Sequence, residues 1–173
     1  GPAFREWAGH PGVVARLGRL LAGPVVLSQA HHNCVMTKHP DHGSRTGWHR
    51  DVRYWSFERP ELVSVWLALG PETAENGGLA FLPGSHRLDL APERFDAARF
   101  LDEDHPANAP LLAGAVTPAL AAGDAVFFHC RTLHAAGRNA TAAVKTSVVF
   151  TYRAADNPPL PGTRSAALPE VAL

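Results

Sequence analysis

The stretch TGWHRDVRYW, Thr46 to Trp55, sets His49 and Asp51 two residues apart. On an extended strand, residues i and i+2 project from one face, so this imidazole and carboxylate would converge while Arg50 and Val52 point the other way. Such a pair supplies two legs of a 2-His-1-carboxylate triad, which holds a metal and leaves coordination positions open for other ligands. By itself it is weak evidence, since such a pair on a half-buried strand is more often an ordinary polar pair, and a metal site needs a third leg from elsewhere. GDAVFFHCRTLHAAGRN offers His129 and His134, five residues apart and therefore on opposite faces of any continuous strand. His134 is the better ligand because the small residues Ala135, Ala136 and Gly137 follow it and leave room beside a metal. His129 ends an aromatic run and is assigned to packing. His86, in the turn segment PGSHR, is assigned a structural role.

A metal with open positions needs something to fill them. In iron(II) oxygenases this is often a 2-oxo acid that chelates through its keto oxygen and C1 carboxylate, and its far carboxylate then needs a buried cation, since an unpaired buried charge is costly. Lys145 lies eleven residues after His134, among Val144, Val148 and Val149, and is the candidate. The competing reading makes it an edge-strand lysine whose stem covers apolar surface and whose ammonium stays in water.

The elements that would carry these groups are short. Pro11 to Gly23 shows helical periodicity at Val13, Val14, Leu17, Leu20 and Leu21 and stops at Gly23-Pro24. Val25 to Lys38 reads as one strand, Trp48 to Trp55 as a second and Leu62 to Leu69 as a buried third. Gly70 to Gly78 is turn-rich, and LAFLPGSHR is a short strand ending in a tight turn. Leu90 to Ala113 reads as an insertion or lid with a short helix over Pro92 to Leu101. GDAVFFHC and VKTSVVFTYR are further strands, and the tail after Asp156 is irregular. One helix followed by seven or so strands favours a β-sandwich or barrel over a parallel α/β sheet.

Composition narrows the function classes. The chain has 173 residues, 46% of them hydrophobic, which suits one globular domain spanning 1–173. Its formal net charge is zero, so there is no electrostatic footprint for nucleic acid or an anionic membrane. No apolar run reaches the roughly 20 residues a transmembrane helix needs, and no signal peptide is visible. The two cysteines, Cys34 and Cys130, are too few for a disulfide framework and read as free thiols of a cytoplasmic protein.

Six blocks in order, QAHHNCVMTK, TGWHRDVRYW, LVSVWLAL, ENGGLAFLPGSHR, GDAVFFHCRTLHAAGRN and the strand after it, resemble the phytanoyl-CoA dioxygenase-like family of iron(II)- and 2-oxoglutarate-dependent oxygenases. The resemblance runs from about Val25 to Arg153. It implies a mainly β, double-stranded β-helix (jelly-roll, cupin-like) core with flanking helices, and an enzyme using Fe(II), 2-oxoglutarate and O2. It carries His49, Asp51 and His134 over as iron ligands. Lys145 falls where the family usually has an arginine for the far carboxylate of 2-oxoglutarate, and it is a point charge rather than a bidentate fork. Ala136 replaces a frequent hydroxyl. Asn33 matches a polar position that touches the cosubstrate, and Trp66 falls near an aromatic of its pocket. The implied reaction hydroxylates a small molecule and releases succinate and CO2. Asp51 argues against halogenation, because related halogenases have a small residue there, while desaturation stays open.

Side chains expected at the substrate mouth are Gln29, His31, Thr46, Trp48, Arg53, Tyr54, Trp55 and Arg131. Two rival readings stand beside the hydroxylase: a cupin-like metal hydrolase or isomerase that uses no keto acid, and a non-catalytic member that only binds metal or ligand. The chain opens on GPAFREWAG, with no methionine, whereas family members usually carry further N-terminal helices and a strand. Those elements are either absent or trimmed away.

Overall fold

A computed structural model describes all residues, 1–173. The chain opens with two helices where the sequence suggested one, α1 (Pro2–Ala8) and α2 (Pro11–Leu20). Each has proline in its first turn, where the missing N–H costs no hydrogen bond. His10 caps α2, its Nδ1 accepting from the Gly12 N–H at 3.1 Å. Val13 and Leu17, one helical turn apart, bury the inner face of α2.

The expected Val25–Lys38 strand divides into β1 (Val25–Leu27) and β2 (Cys34–Lys38). Between them the chain turns through Ser28–Asn33. There Asn33 Nδ2 donates to the Ser28 and His31 carbonyls, both at 2.6 Å, and holds the turn. Next come β3 (Thr46–His49), β4 (Leu62–Ala68), β5 (Leu79–Phe81), the single helical turn α3 (Ala109–Leu112), β6 (Ala125–His129), β7 (His134–Ala136), β8 (Lys145–Ala154) and β9 (Val171–Ala172). The tail thus ends in a strand, β9, rather than in irregular chain.

Two sheets form. The larger runs β6-β4-β8-β1-β9, with β2 also paired to β8 beyond the end of β1, and the smaller runs β3-β7-β5. All pairings within them are antiparallel. Strand alternation divides the large sheet's two faces. Val63 and Val65 of β4 and Val148, Phe150 and Tyr152 of β8 face the helices, where they pack with Ala8, Val13 and Leu17 in the main core. The Tyr152 hydroxyl donates to the Ala8 carbonyl at 3.0 Å and ties α1 to the sheet. The opposite face, carrying Trp66, Phe128, Val149 and Lys145, looks toward the small sheet. Two antiparallel sheets enclosing one cavity make the jelly-roll arrangement expected from the sequence.

Two further expectations are corrected. The strand read over Trp48–Trp55 stops at His49, and Asp51–Tyr54 is a 3-10 turn. The helix expected over Pro92–Leu101 is only a 3-10 turn at Pro92–Arg94. In that segment Asp96 Oδ1 accepts from the Ala98 and Phe100 N–H groups, both at 2.9 Å, and Arg99 sits at φ 61°. These side-chain bonds replace the helical ones.

Candidate metal centre

His49 ends β3 and His134 begins β7, and the two are direct cross-strand partners with ring centroids 4.2 Å apart. Asp51 opens the turn after β3. The turn is held by the Val52 N–H donating to the Cys130 carbonyl at 3.2 Å, so the loop leading to His134 anchors the carboxylate of the other ligand segment. Ligand atoms of His49, Asp51 and His134 all lie within 4.8 Å of one another, and all three residues are buried. Convergence therefore comes from a strand end and a turn, not from two alternate positions on one strand.

The hydrogen bonds fix which atoms are free. His49 Nδ1 lies 2.9 Å from the Gly47 carbonyl and His134 Nδ1 lies 3.0 Å from the Thr132 carbonyl. Each Nδ1 must carry the proton to make these bonds, so each Nε2 keeps a bare lone pair. Those Nε2 atoms sit 3.8 Å (His49) and 3.5 Å (His134) from Asp51 Oδ1. Asp51 Oδ1 is fully buried and has no hydrogen-bond partner, while Oδ2 accepts from Ser64 Oγ at 2.9 Å. Burial, then the neighbouring His134, pushes the His49 pKa down to about 4, which keeps the ring neutral. Two bare lone pairs facing an orphaned buried carboxylate oxygen are what a divalent cation would satisfy, and the donor set fits iron(II).

The triad opens onto a cavity of about 620 Å3 between the two sheets. Thr46 and Trp66 line it, as does Lys145, so these expected site residues share the triad's chamber. Lys145 is already engaged. Its Nζ donates to Glu72 Oε2 and to Ser147 Oγ, both at 3.1 Å. Glu72 is wholly buried, and it also accepts from Trp66 Nε1 at 2.9 Å and Ser147 Oγ at 2.5 Å. The alternative of a snorkelling Lys145 is excluded, since its side chain is only 2% exposed.

Other expected site residues lie elsewhere. Asn33 braces the β1–β2 turn and is not in the cavity wall. Gln29 donates to the Pro169 carbonyl on the far side of the large sheet. Trp48 alternates with His49 on β3 and so points outward, into a cluster with Leu82, Leu101 and Leu133. Trp55 packs with Phe57, Leu62 and Cys130 and stacks on buried His31, whose Nε2 meets Ser165 Oγ at 2.8 Å. Arg53 lies over the Phe100 ring, and Arg131 reaches the Leu88 carbonyl, both outside the cavity. Tyr54 is exposed and also outside it. The expected non-ligands lie off the triad: the His129 and His86 rings pack together, tilted, with centroids 5.5 Å apart, and Arg50 turns away to the Ser85 and Leu88 carbonyls.

Three residues the sequence reading did not assign belong to the chamber or its frame. They are His32, with Nδ1 3.6 Å from Asp51 Oδ1, Lys38 at the end of β2, and Glu72. An antiparallel sandwich with a buried His-Asp-His cluster between its sheets defines a class, the jelly-roll proteins with a mononuclear facial-triad centre. The family model described as Phytanoyl-CoA dioxygenase (PhyH) matches residues 1–147, and the chain belongs to that family. It is 28% identical over 162 residues to a probable phytanoyl-CoA dioxygenase of Caenorhabditis elegans, covering 87% of this chain and 51% of that protein. It is also 28% identical over 169 residues to L-proline trans-4-hydroxylase of Streptomyces griseoviridis, covering 86% of this chain and 62% of that one. Among solved structures, the epimerase SnoN in complex with Fe3+, alpha ketoglutarate and nogalamycin RO superposes with a TM-score of 0.75 at 28% identity, over 99% of this chain and 70% of that one. The chain thus spans between half and two thirds of the length of these two curated relatives.

Proposed function

We propose that this chain carries the catalytic core of an iron(II)- and 2-oxoglutarate-dependent dioxygenase that hydroxylates a small molecule, releasing succinate and CO2. The observation that carries the reading is the orphaned Asp51 Oδ1 facing the bare Nε2 atoms of His49 and His134. His49, Asp51 and His134 hold the iron, and iron(II) with 2-oxoglutarate and O2 supplies the oxidising chemistry. The protein's own groups do the rest. The backbone carbonyls of Gly47 and Thr132 hold each imidazole in the tautomer that presents Nε2. Ser64 fixes the Asp51 carboxylate, and the Phe128 and Phe81 rings beside His134 keep that side of the centre apolar.

Lys145 contributes a hydrogen-bond donor to the cosubstrate's far carboxylate, and Trp66 forms part of the cosubstrate wall. Relatives described as acting on L-proline and on ectoine support a small-molecule substrate. No helix is long and apolar enough to cross a membrane. We place the enzyme in the cytoplasm on its two free thiols, Cys34 and Cys130.

Anaerobic addition of iron(II) and then 2-oxoglutarate should produce the visible charge-transfer band of a chelated keto acid, and His134→Ala should abolish it. A wild-type protein that binds iron(II) but gives no band would overturn the keto-acid reading and return the metal hydrolase or isomerase alternative.

A further inference from the structure

We propose that Lys38, rather than Lys145, supplies the positive charge that selects a dicarboxylate over a monocarboxylate keto acid in this chamber. The inference rests on the function proposed above and adds a specificity-determining residue to it.

Lys38 and Lys145 are direct cross-strand partners at the end of the β2–β8 ladder. Like charges directly opposite one another destabilise a sheet, and more so where water is scarce, so the pairing calls for compensation. Only half of it is compensated. The Lys145 ammonium is matched by Glu72, whose carboxylate collects the Trp66 indole N–H and the Ser147 hydroxyl as well. Lys145 and Glu72 together are therefore a neutral unit. Lys38 has no acidic partner. Its Nζ donates to the Ser44 carbonyl at 2.9 Å, the Ala136 carbonyl at 3.4 Å and the Gly137 carbonyl, all of them neutral acceptors.

The charge balance of the chamber follows. The charged side chains in its wall are Asp51, Lys38 and Lys145, with Glu72 behind the last. Iron(II) held by Asp51 and two neutral imidazoles carries one net positive charge. The Lys145–Glu72 unit adds none, and Lys38 adds the second. Bound 2-oxoglutarate brings two negative charges, so the chamber is neutral when loaded only if Lys38 is counted. A keto acid with one carboxylate needs only the charge at the metal. Burial, and then the nearby Lys145, lower the Lys38 pKa from its ordinary value, a cost of carrying the charge that an anion bound beside it would relieve.

Isothermal calorimetry on the Mn(II)-loaded protein, with 2-oxoglutarate and 2-oxobutyrate as paired probes, tests this. Lys38→Met should weaken 2-oxoglutarate about tenfold or more, the scale of losing one opposite charge in a partly buried site, and leave 2-oxobutyrate within about twofold. Lys38→Arg should restore the preference. Equal losses for both acids would show Lys38 to be only a strut for the Ser44 and Gly137 loops, and an unchanged ratio would show it irrelevant; either overturns the proposal. Should Lys38→Met fail to bind Mn(II) or fold, Glu72→Gln reads the same balance from the other side. It frees the Lys145 charge and should tighten 2-oxoglutarate relative to 2-oxobutyrate, and no change in that ratio overturns the proposal. A wild-type protein that binds Mn(II) but neither acid would instead sink the parent function, and this inference with it.

Discussion

Ser64→Ala removes one hydroxyl from beneath the metal centre and leaves every proposed ligand in place. Ser64 is fully buried in β4, and its Oγ donates to Asp51 Oδ2 at 2.9 Å, the one hydrogen bond this carboxylate receives. A hydrogen bond to a charged group contributes about 1.5–3 kcal/mol net, and a buried carboxylate stripped of its donor cannot turn to water for a substitute. The apo protein should therefore lose about 1.5–3 kcal/mol of stability in urea unfolding. The metal should feel the loss separately. With Oδ2 untethered, the carboxylate samples orientations in which Oδ1 no longer faces the two Nε2 atoms, and changes of this kind behind a ligand cost about 10–100-fold in metal affinity.

Both numbers are measurable on one preparation, stability by urea melts of metal-free protein and affinity by anaerobic competition of iron(II) against a chromogenic chelator. Reduced affinity with Asp51 still in place is the expected outcome. If the variant loses stability yet holds iron(II) within twofold of wild type, the Ser64 bond is a core hydrogen bond and nothing more. The assignment of Asp51 Oδ1 as the ligating atom would then lose its support.

Two further expectations concern groups outside the centre. His31, stacked on Trp55 at 5.0 Å, has its pKa pushed down to about 4 by burial and then by Arg164. It is neutral when folded, whereas the unfolded chain protonates it near pH 6.5, so stability is complete above that pH and falls as pH drops toward 4. His31→Phe should flatten the apo stability curve over that window by up to about 1.4 kcal/mol per pH unit, the one-proton limit, and an unaltered slope would refute the assignment. For the thiols, native protein should take up one equivalent of iodoacetamide. The site is exposed Cys34, because Cys130 is buried with its pKa pushed up to about 12. Peptide mass mapping that finds Cys130 alkylated before unfolding would contradict this.

The triad was legible from residue types and ordered blocks, but not through the geometry first assigned to it. Treating His49 and Asp51 as alternate positions on one strand brings the right pair together, whereas the strand ends at His49 and the carboxylate arrives on a 3-10 turn pinned to Cys130. The same assumption misplaced the aromatic neighbours. Trp48 and Trp55 flank the ligands in sequence, yet strand alternation sends Trp48 to the outer core, and the turn carries Trp55 into a second cluster. Proximity along the chain says little about which side of a sandwich a large ring fills, and apolar burial decides it.

Glu72 and Lys38 were hidden for a different reason. GPETAENGG reads as a turn on any local criterion, and nothing in it says that its glutamate meets a lysine 73 residues downstream. That meeting depends on a short bridge in which the Glu72 N–H donates to the Leu120 carbonyl and folds the loop over the end of β8. The opposition of Lys38 and Lys145 likewise exists only in the β2–β8 register, which local pattern does not set for a strand as exposed as β2. Sequence therefore exposes the proposed ligands, whose chemistry is carried by residue type. It conceals the charge balance around them, which is a sum over partners brought together by tertiary pairing. A lysine at position 145 looked like a weakened substitute for arginine. With Glu72 beside it the position contributes a donor and no net charge, so the ammonium that matters for a dianion is the one across the ladder.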